Sequence, residues 1–130
     1  MTDQEMVALA LHARENAYAP YSHFRVGAAL ECADGRVYTG CNVENAAYGS
    51  SICAERTALV KAVSEGERTF TKLAIAGDSA DFCWPCGACR QMLREFGAEL
   101  RVLCANRDGS FCAFTLEELL PHGFGAETMK

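Results

Sequence analysis

No run of apolar residues in this chain approaches the roughly 18 that a membrane-spanning helix needs. The N-terminus, Met1-Thr2-Asp3-Gln4-Glu5, lacks the basic start of a secretory signal, so a cytoplasmic location is expected and a membrane partner is not. Basic residues are few: 12 Lys and Arg stand against 17 Asp and Glu, for a formal charge of −5. They are also scattered, and binding a nucleic-acid backbone requires phosphate neutralisation by clustered cations, so no nucleic-acid partner is expected. Histidine is scarce, and His12, His23 and His122 stand too far apart to suggest metal ligands. Repeats, low-complexity segments and linkers are all missing, and 130 residues with half of them hydrophobic fit a single domain, 1–130, with a proper core.

Cysteine, in contrast, is abundant, at positions 32, 41, 53, 83, 86, 89, 104 and 112. An even number in a short chain suggests a disulfide framework, but such scaffolds are usually smaller, secreted and poor in core residues. Cys104 lies in the apolar run Leu100-Arg101-Val102-Leu103-Cys104-Ala105, where a thiol acts as a small hydrophobe. Cys32, Cys41, Cys104 and Cys112 are therefore read as structural thiols.

Local patterns predict an alternation of helices and strands. Thr2-Asp3-Gln4-Glu5 is a capping-box signature, and Met6, Leu9, Ala10, Ala13 and Ala17 continue it at helical spacing up to Pro20. Segments 24–32 and 37–43 flank an Asp34-Gly35 turn and read as a hairpin. A second helix is expected from Cys53 to near Gly66. Segment 72–77 is apolar on both faces and reads as a central strand. A third helix follows from about Cys86 to Gly97, then strands over 100–105 and 110–114, then a short helix over 115–120. The order predicts an α/β fold, a mixed sheet with helices on both faces.

The chemistry is concentrated in Cys53-Ala54-Glu55-Arg56 and Pro85-Cys86-Gly87-Ala88-Cys89. Cys53, Cys86 and Cys89 supply three thiolate ligands at two helix starts, where the positive end of each helix dipole favours negative charge. A structural zinc site is normally closed by a fourth protein ligand, whereas a catalytic one leaves a position for water. Glu55, taken alone, is an ordinary acidic residue in a first helical turn; beside this ligand set it reads as a general acid/base. Cys83, Cys86 and Cys89 are each separated by two residues; Cys83 is read as a packing or idle thiol, with a closed four-cysteine site as the main competing possibility and iron–sulfur ligation a weaker one. Asn42 and Glu44, two apart after a strand, share a face and can meet sugar hydroxyls; residues of their kind more often satisfy loop backbone. Phe24 by pattern alone is plain core.

With the segment Asn42-Val43-Glu44-Asn45-Ala46-Ala47-Tyr48-Gly49, these motifs resemble those of the small homotetrameric cytidine deaminases, from about residue 21 to residue 124. The resemblance implies a three-layer α-β-α fold around a five-stranded mixed sheet. It implies hydrolysis of free cytidine and deoxycytidine to uridine and deoxyuridine with release of ammonia, a pyrimidine-salvage reaction, and one zinc ion per subunit. Residue by residue, it implies Cys53, Cys86 and Cys89 as ligands, Glu55 as acid/base, and Arg56 as a donor to the cysteine sulfurs. It further implies that Phe24 stacks on the pyrimidine, Asn42 and Glu44 bind the ribose, Ala54 contacts substrate, and Tyr48 and Phe124 reach a neighbouring subunit's site. The expected assembly is a homotetramer with shared active sites. Trp84 departs from the family, which commonly has Ser before the Pro-Cys-Gly segment. Deamination of another cytosine-containing compound, such as a nucleoside antibiotic, and a noncatalytic four-cysteine zinc module remain the competing readings.

Overall fold

The structure, a computed structural model, describes residues 1–129; Lys130, the last residue of the expected single domain, lies outside them. Among the described residues one five-stranded sheet has the order β2-β1-β3-β4-β5, where β1 is Val26–Cys32, β2 Val37–Cys41, β3 Phe70–Gly77, β4 Arg101–Ala105 and β5 Phe111–Thr115. Only β3 and β4 run parallel; the remaining neighbours are antiparallel, so the sheet is mixed, as expected. The doubly apolar segment forms β3, the middle strand.

Strand alternation sends successive side chains to opposite faces and so divides the core in two. Ala28, Leu30, Leu73, Ile75, Val102 and Cys104 face helices α2 (Ala54–Ser64) and α3 (Gly87–Arg94), with Leu116 of the short α4 (Leu116–Leu119). Ala29, Ala74, Ala76, Leu103 and Ala105 face α1 (Asp3–Ala13) through Met6, Val7 and Ala10. The α1 face is mostly alanine, so that helix lies close to the strand backbones. This is the three-layer α-β-α architecture. None of the eight cysteines is paired, and Cys32 and Cys104 lie in the core as apolar fillers.

Caps hold the helices where sequence placed them. Thr2 and Glu5 form the capping box of α1, and Thr115 and Glu118 form one on α4; each such cap contributes about 1 kcal/mol. Several boundaries differ from expectation, α3 for one ending at Arg94 and not at Gly97. The first helix ends at Ala13 and tightens into a 3-10 turn, Arg14–Asn16, because Tyr18 N–H donates to Asn42 O instead of continuing the helix. β1 begins at Val26, not Phe24, because the Asn42 side chain takes the bonds a ladder would use there. β2 stops at Cys41, and Val43 instead makes isolated bridges to Tyr18 and Ile52.

The ladder brings the start of β1 and the ends of β2, β3 and β4 to one rim of the sheet: Val26 opposes Gly77, Gly27 opposes Cys41, and Ala76 opposes Ala105. α2 reaches that rim only because Gly40 has no side chain. A Cβ there would sit 2.5 Å from Ala58 N and 2.6 Å from Ala54 O, both helix backbone that cannot rotate away. Gly40→Ala is expected to destabilise the fold by at least the roughly 1–3 kcal/mol typical of overpacking; an unchanged urea midpoint would show that α2 does not depend on this approach.

Candidate metal centre and cavity

Cys53 is the N-cap of α2 and Cys86 the N-cap of α3, with Cys89 one turn further along α3. The two helix starts meet at the sheet rim. Cys53 Sγ lies 3.6 Å from Cys86 Sγ, Cys86 Sγ lies 3.2 Å from Cys89 Sγ, and all three sulfurs fall within 4.8 Å of one another. Cys86 Sγ also accepts the Cys89 backbone N–H at 3.4 Å. Three sulfurs so gathered, on helix N-termini, form a donor set suited to zinc or another thiophilic ion. Cys83 is not part of this cluster; burial pushes its thiol up to about 12, and its backbone N–H is tied to Ala105 O.

The three thiols are not equivalent. Cys53 is pulled down to about 5, chiefly by a hydrogen bond from the Cys89 thiol, with Arg56 and Cys86 helping against burial. Cys89 is raised for the complementary reason: its proton bridges to Cys53. Arg56 Nη2 stands 3.8 Å from Cys53 Sγ and donates to Ser51 O at 3.2 Å, while its buried Nε has no partner. The guanidinium is thus the cation nearest the sulfurs, where excess negative charge collects.

Glu55 is 4% exposed, the one buried charged residue among those described. Desolvation pushes its carboxyl up to about 7, and the charge on Cys53 adds to this, while its own backbone N–H, Cys89 and Arg56 act in the opposite sense. A carboxyl balanced near neutrality can both take and return a proton. It lies on the floor of a cavity of about 310 Å³ lined also by Phe24, Asn42, Glu44, Cys53, Ala54 and Cys86.

The part of the lining built on Phe24, Asn42 and Glu44 is held by hydrogen bonds to backbone. Asn42 Nδ2 donates to Phe24 O at 2.9 Å and its Oδ1 accepts Val26 N–H at 2.9 Å. Glu44 accepts from the backbone N–H groups of Tyr21 and Ser22 and from the Ser22 hydroxyl. Both side chains therefore do satisfy loop backbone, as their type usually does, and still face the cavity. Neither lies within a strand. Asp78, just past β3, receives the Arg25 backbone N–H at 2.8 Å and its guanidinium at 3.1 Å, while Arg14 reaches Gly77 O at 3.1 Å. Nothing in the local sequence around Asp78 or Arg14 marked them as supports for the segment carrying Phe24, since their partners are 53 and 63 residues distant, whereas Ser22 Oγ accepts the Phe24 N–H from only two residues away.

Phe24 is 39% exposed and no core residue. Its ring lies against the bare Cα of Gly77, where a Cβ would be 2.9 Å from Cζ. Tyr48 and Phe124, 72% and 56% exposed, do not line this cavity; Tyr48 packs edge-on against Tyr21 at 5.9 Å.

A family model described as the cytidine and deoxycytidylate deaminase zinc-binding region matches residues 1–105. A cytidine deaminase of Halalkalibacterium halodurans is 48% identical over 130 residues, covering 99% of this chain and 98% of the relative. A probable cytidine deaminase of Dictyostelium discoideum is 46% identical, covering 97% of this chain and 86% of the relative. The crystal structure of a Burkholderia pseudomallei cytidine deaminase superposes with a TM-score of 0.92 at 47% identity, covering 95% of this chain and all of that one. Fold and site thus define a zinc-dependent hydrolase of the deaminase class. The chain belongs to the cytidine and deoxycytidylate deaminase family.

Because the Phe24 ring rests where a Gly77 side chain would stand, Gly77→Ala is expected to drive the ring into the cavity. A crystal structure of that variant with the ring in its original place would show that the bare backbone does not set its position.

Proposed function

We propose that this protein deaminates free cytidine and deoxycytidine, releasing ammonia and forming uridine and deoxyuridine. The observation that carries the reading is one cavity lined by Cys53 and Cys86 of the sulfur cluster, by the buried carboxyl of Glu55, and by Phe24, Asn42 and Glu44. Zinc held by Cys53, Cys86 and Cys89 would supply the Lewis acidity that lowers the pKa of water from 15.7 to roughly 7.

Glu55 carries the protons. Its carboxylate takes one from the attacking water and delivers it to N3 of the cytosine ring as the ring loses aromaticity. It then helps protonate the amino nitrogen at C4, which leaves as ammonia, so water and cytidine are converted without a further reactant. A group near neutrality suits both directions of transfer. Arg56 offsets negative charge on the sulfurs, which otherwise weakens the metal as an acid. Phe24 offers its exposed face to the pyrimidine, and the Ala54 backbone lies alongside it. Glu44 and Asn42 accept or donate to sugar hydroxyls with the capacity their loop bonds leave over. Free nucleosides suit a net charge of −5 better than polynucleotide does.

The four-cysteine module is the weaker reading, because Cys83 stands apart from the other three sulfurs and the module leaves the buried Glu55 without a task. A cytoplasmic homotetramer fits the chain: no helix among the described residues is long and apolar enough to cross a membrane, and exposed Tyr48 and Phe124 are free to complete a neighbour's cavity.

Ultraviolet absorbance with cytidine, coupled to ammonia release, tests the reaction; activity should vanish on chelation and return with zinc. Glu55→Gln should retain fold and zinc while losing at least the roughly 10²–10⁴-fold that acid/base catalysis supplies, and near-normal turnover in that variant would reject the role. Sedimentation equilibrium should give four chains per particle, and a monomer active at assay concentration would remove Tyr48 and Phe124 from the site.

A further inference from the structure

Trp84 is the sole tryptophan of the chain and lines the cavity beside the sulfur cluster. Its position is fixed on both sides along the chain. Cys83 N–H donates to Ala105 O at 3.0 Å, anchoring the segment to the end of β4, and Pro85 is fully buried ahead of the ligand Cys86. Across the chain, the indole packs on Phe114 of β5 with ring centroids 5.5 Å apart and planes tilted by 50°. The side chain is still 48% exposed. A large ring is thus packed on Phe114, lines the cavity and stays half exposed, which a core role does not require.

Asn42, Glu44, Cys53, Glu55, Trp84 and Cys86 all line this one cavity, and Trp84 is joined through Pro85 directly to the ligand Cys86. In the proposed reaction, C4 and its amino group must approach Glu55 and the sulfurs. The base edge bearing C4, with its substituents on the amino nitrogen and on C5, then points toward the segment carrying Trp84. At about 310 Å³ the cavity is at the small end of the range for ligand sites, so one bulky wall residue decides what fits.

We propose that Trp84 is a specificity-determining residue: its indole forms the wall against the amino-bearing edge of the base and restricts turnover to cytosine nucleosides without a substituent at C5 or on the amino nitrogen. This rests on the deaminase reading above. A misplaced methyl group in a closely fitted apolar pocket alters discrimination by about 10–200-fold, which sets the scale of the effect.

The test is kcat/KM for cytidine, 5-methylcytidine and N4-methylcytidine, followed as uridine or 5-methyluridine formed, in the zinc-loaded wild type, Trp84→Ala and Trp84→Phe. The ratio of substituted to unsubstituted substrate should rise about ten-fold in Trp84→Ala and by less in Trp84→Phe. Fluorescence of the wild type gives a second readout that needs no variant to fold: with one indole in the chain, saturable uridine binding should shift its emission. Unchanged ratios in Trp84→Ala, or emission indifferent to saturating uridine, would overturn the proposal even while cytidine is turned over normally. Conversely, emission that responds to uridine in a protein inert toward cytidine would support the wall and refute the reaction.

Discussion

Two helix N-termini, carrying three sulfurs between them, must converge on one rim of the sheet, and most of the structure can be traced to that requirement. α3 arrives there as the crossover between the parallel strands β3 and β4, so its first turn lies beyond the carboxyl end of β3. Open α/β sheets commonly place their ligands beyond such strand ends, where loops diverge from a rigid frame. α2 comes from the other side, pressed onto β2 through Gly40. Without that close approach Cys53 would stand away from Cys86 and Cys89, and neither the cluster nor the carboxyl beside it would form.

Gathering sulfurs also creates an electrostatic problem, which the same elements offset. Thiolates repel one another, and three of them with a dication leave a net charge of −1. The N-terminal dipoles of α2 and α3 and the guanidinium of Arg56 all put positive charge on this point. At Glu55, burial and the charge on Cys53 outweigh the help of its own backbone N–H, Cys89 and Arg56, so its proton is held more tightly than in water. One environment thereby lowers the proton affinity of a cysteine and raises that of a carboxyl two residues away. Acid/base chemistry near neutral pH depends on that contrast.

The part of the cavity built on Phe24, Asn42 and Glu44 is a different kind of construction, made from side chains that stabilise backbone. Asn42 ties Phe24 and Val26, Glu44 ties Tyr21 and Ser22, and Asp78 ties Arg25, so the segment carrying the aromatic ring is bonded from three directions. A pocket wall held by completed hydrogen bonds has little to lose in entropy when a ligand arrives. This explains how Asn42 and Glu44 can be both loop anchors and lining residues, two readings that sequence treats as alternatives.

The linear pattern sufficed for whatever is encoded at short range. Thr2 and Glu5 announce a helix start, Asp34-Gly35 a hairpin, an uninterrupted apolar run the middle strand, and Cys53-Ala54-Glu55 with Pro85-Cys86-Gly87-Ala88-Cys89 the composition of a zinc-deaminase centre, because capping, turn geometry and ligand spacing act over a few residues. Where the first helix stops, where β1 begins, and which distant side chains brace the segment carrying Phe24 were settled by tertiary structure alone. Each of these depends on bonds between positions far apart in the chain, such as Tyr18 with Asn42, Val26 with Asn42, and Arg14 with Gly77. Local preference is worth about a kilocalorie per residue or less, so where a distant partner offers a bond to a buried backbone group, the distant partner prevails.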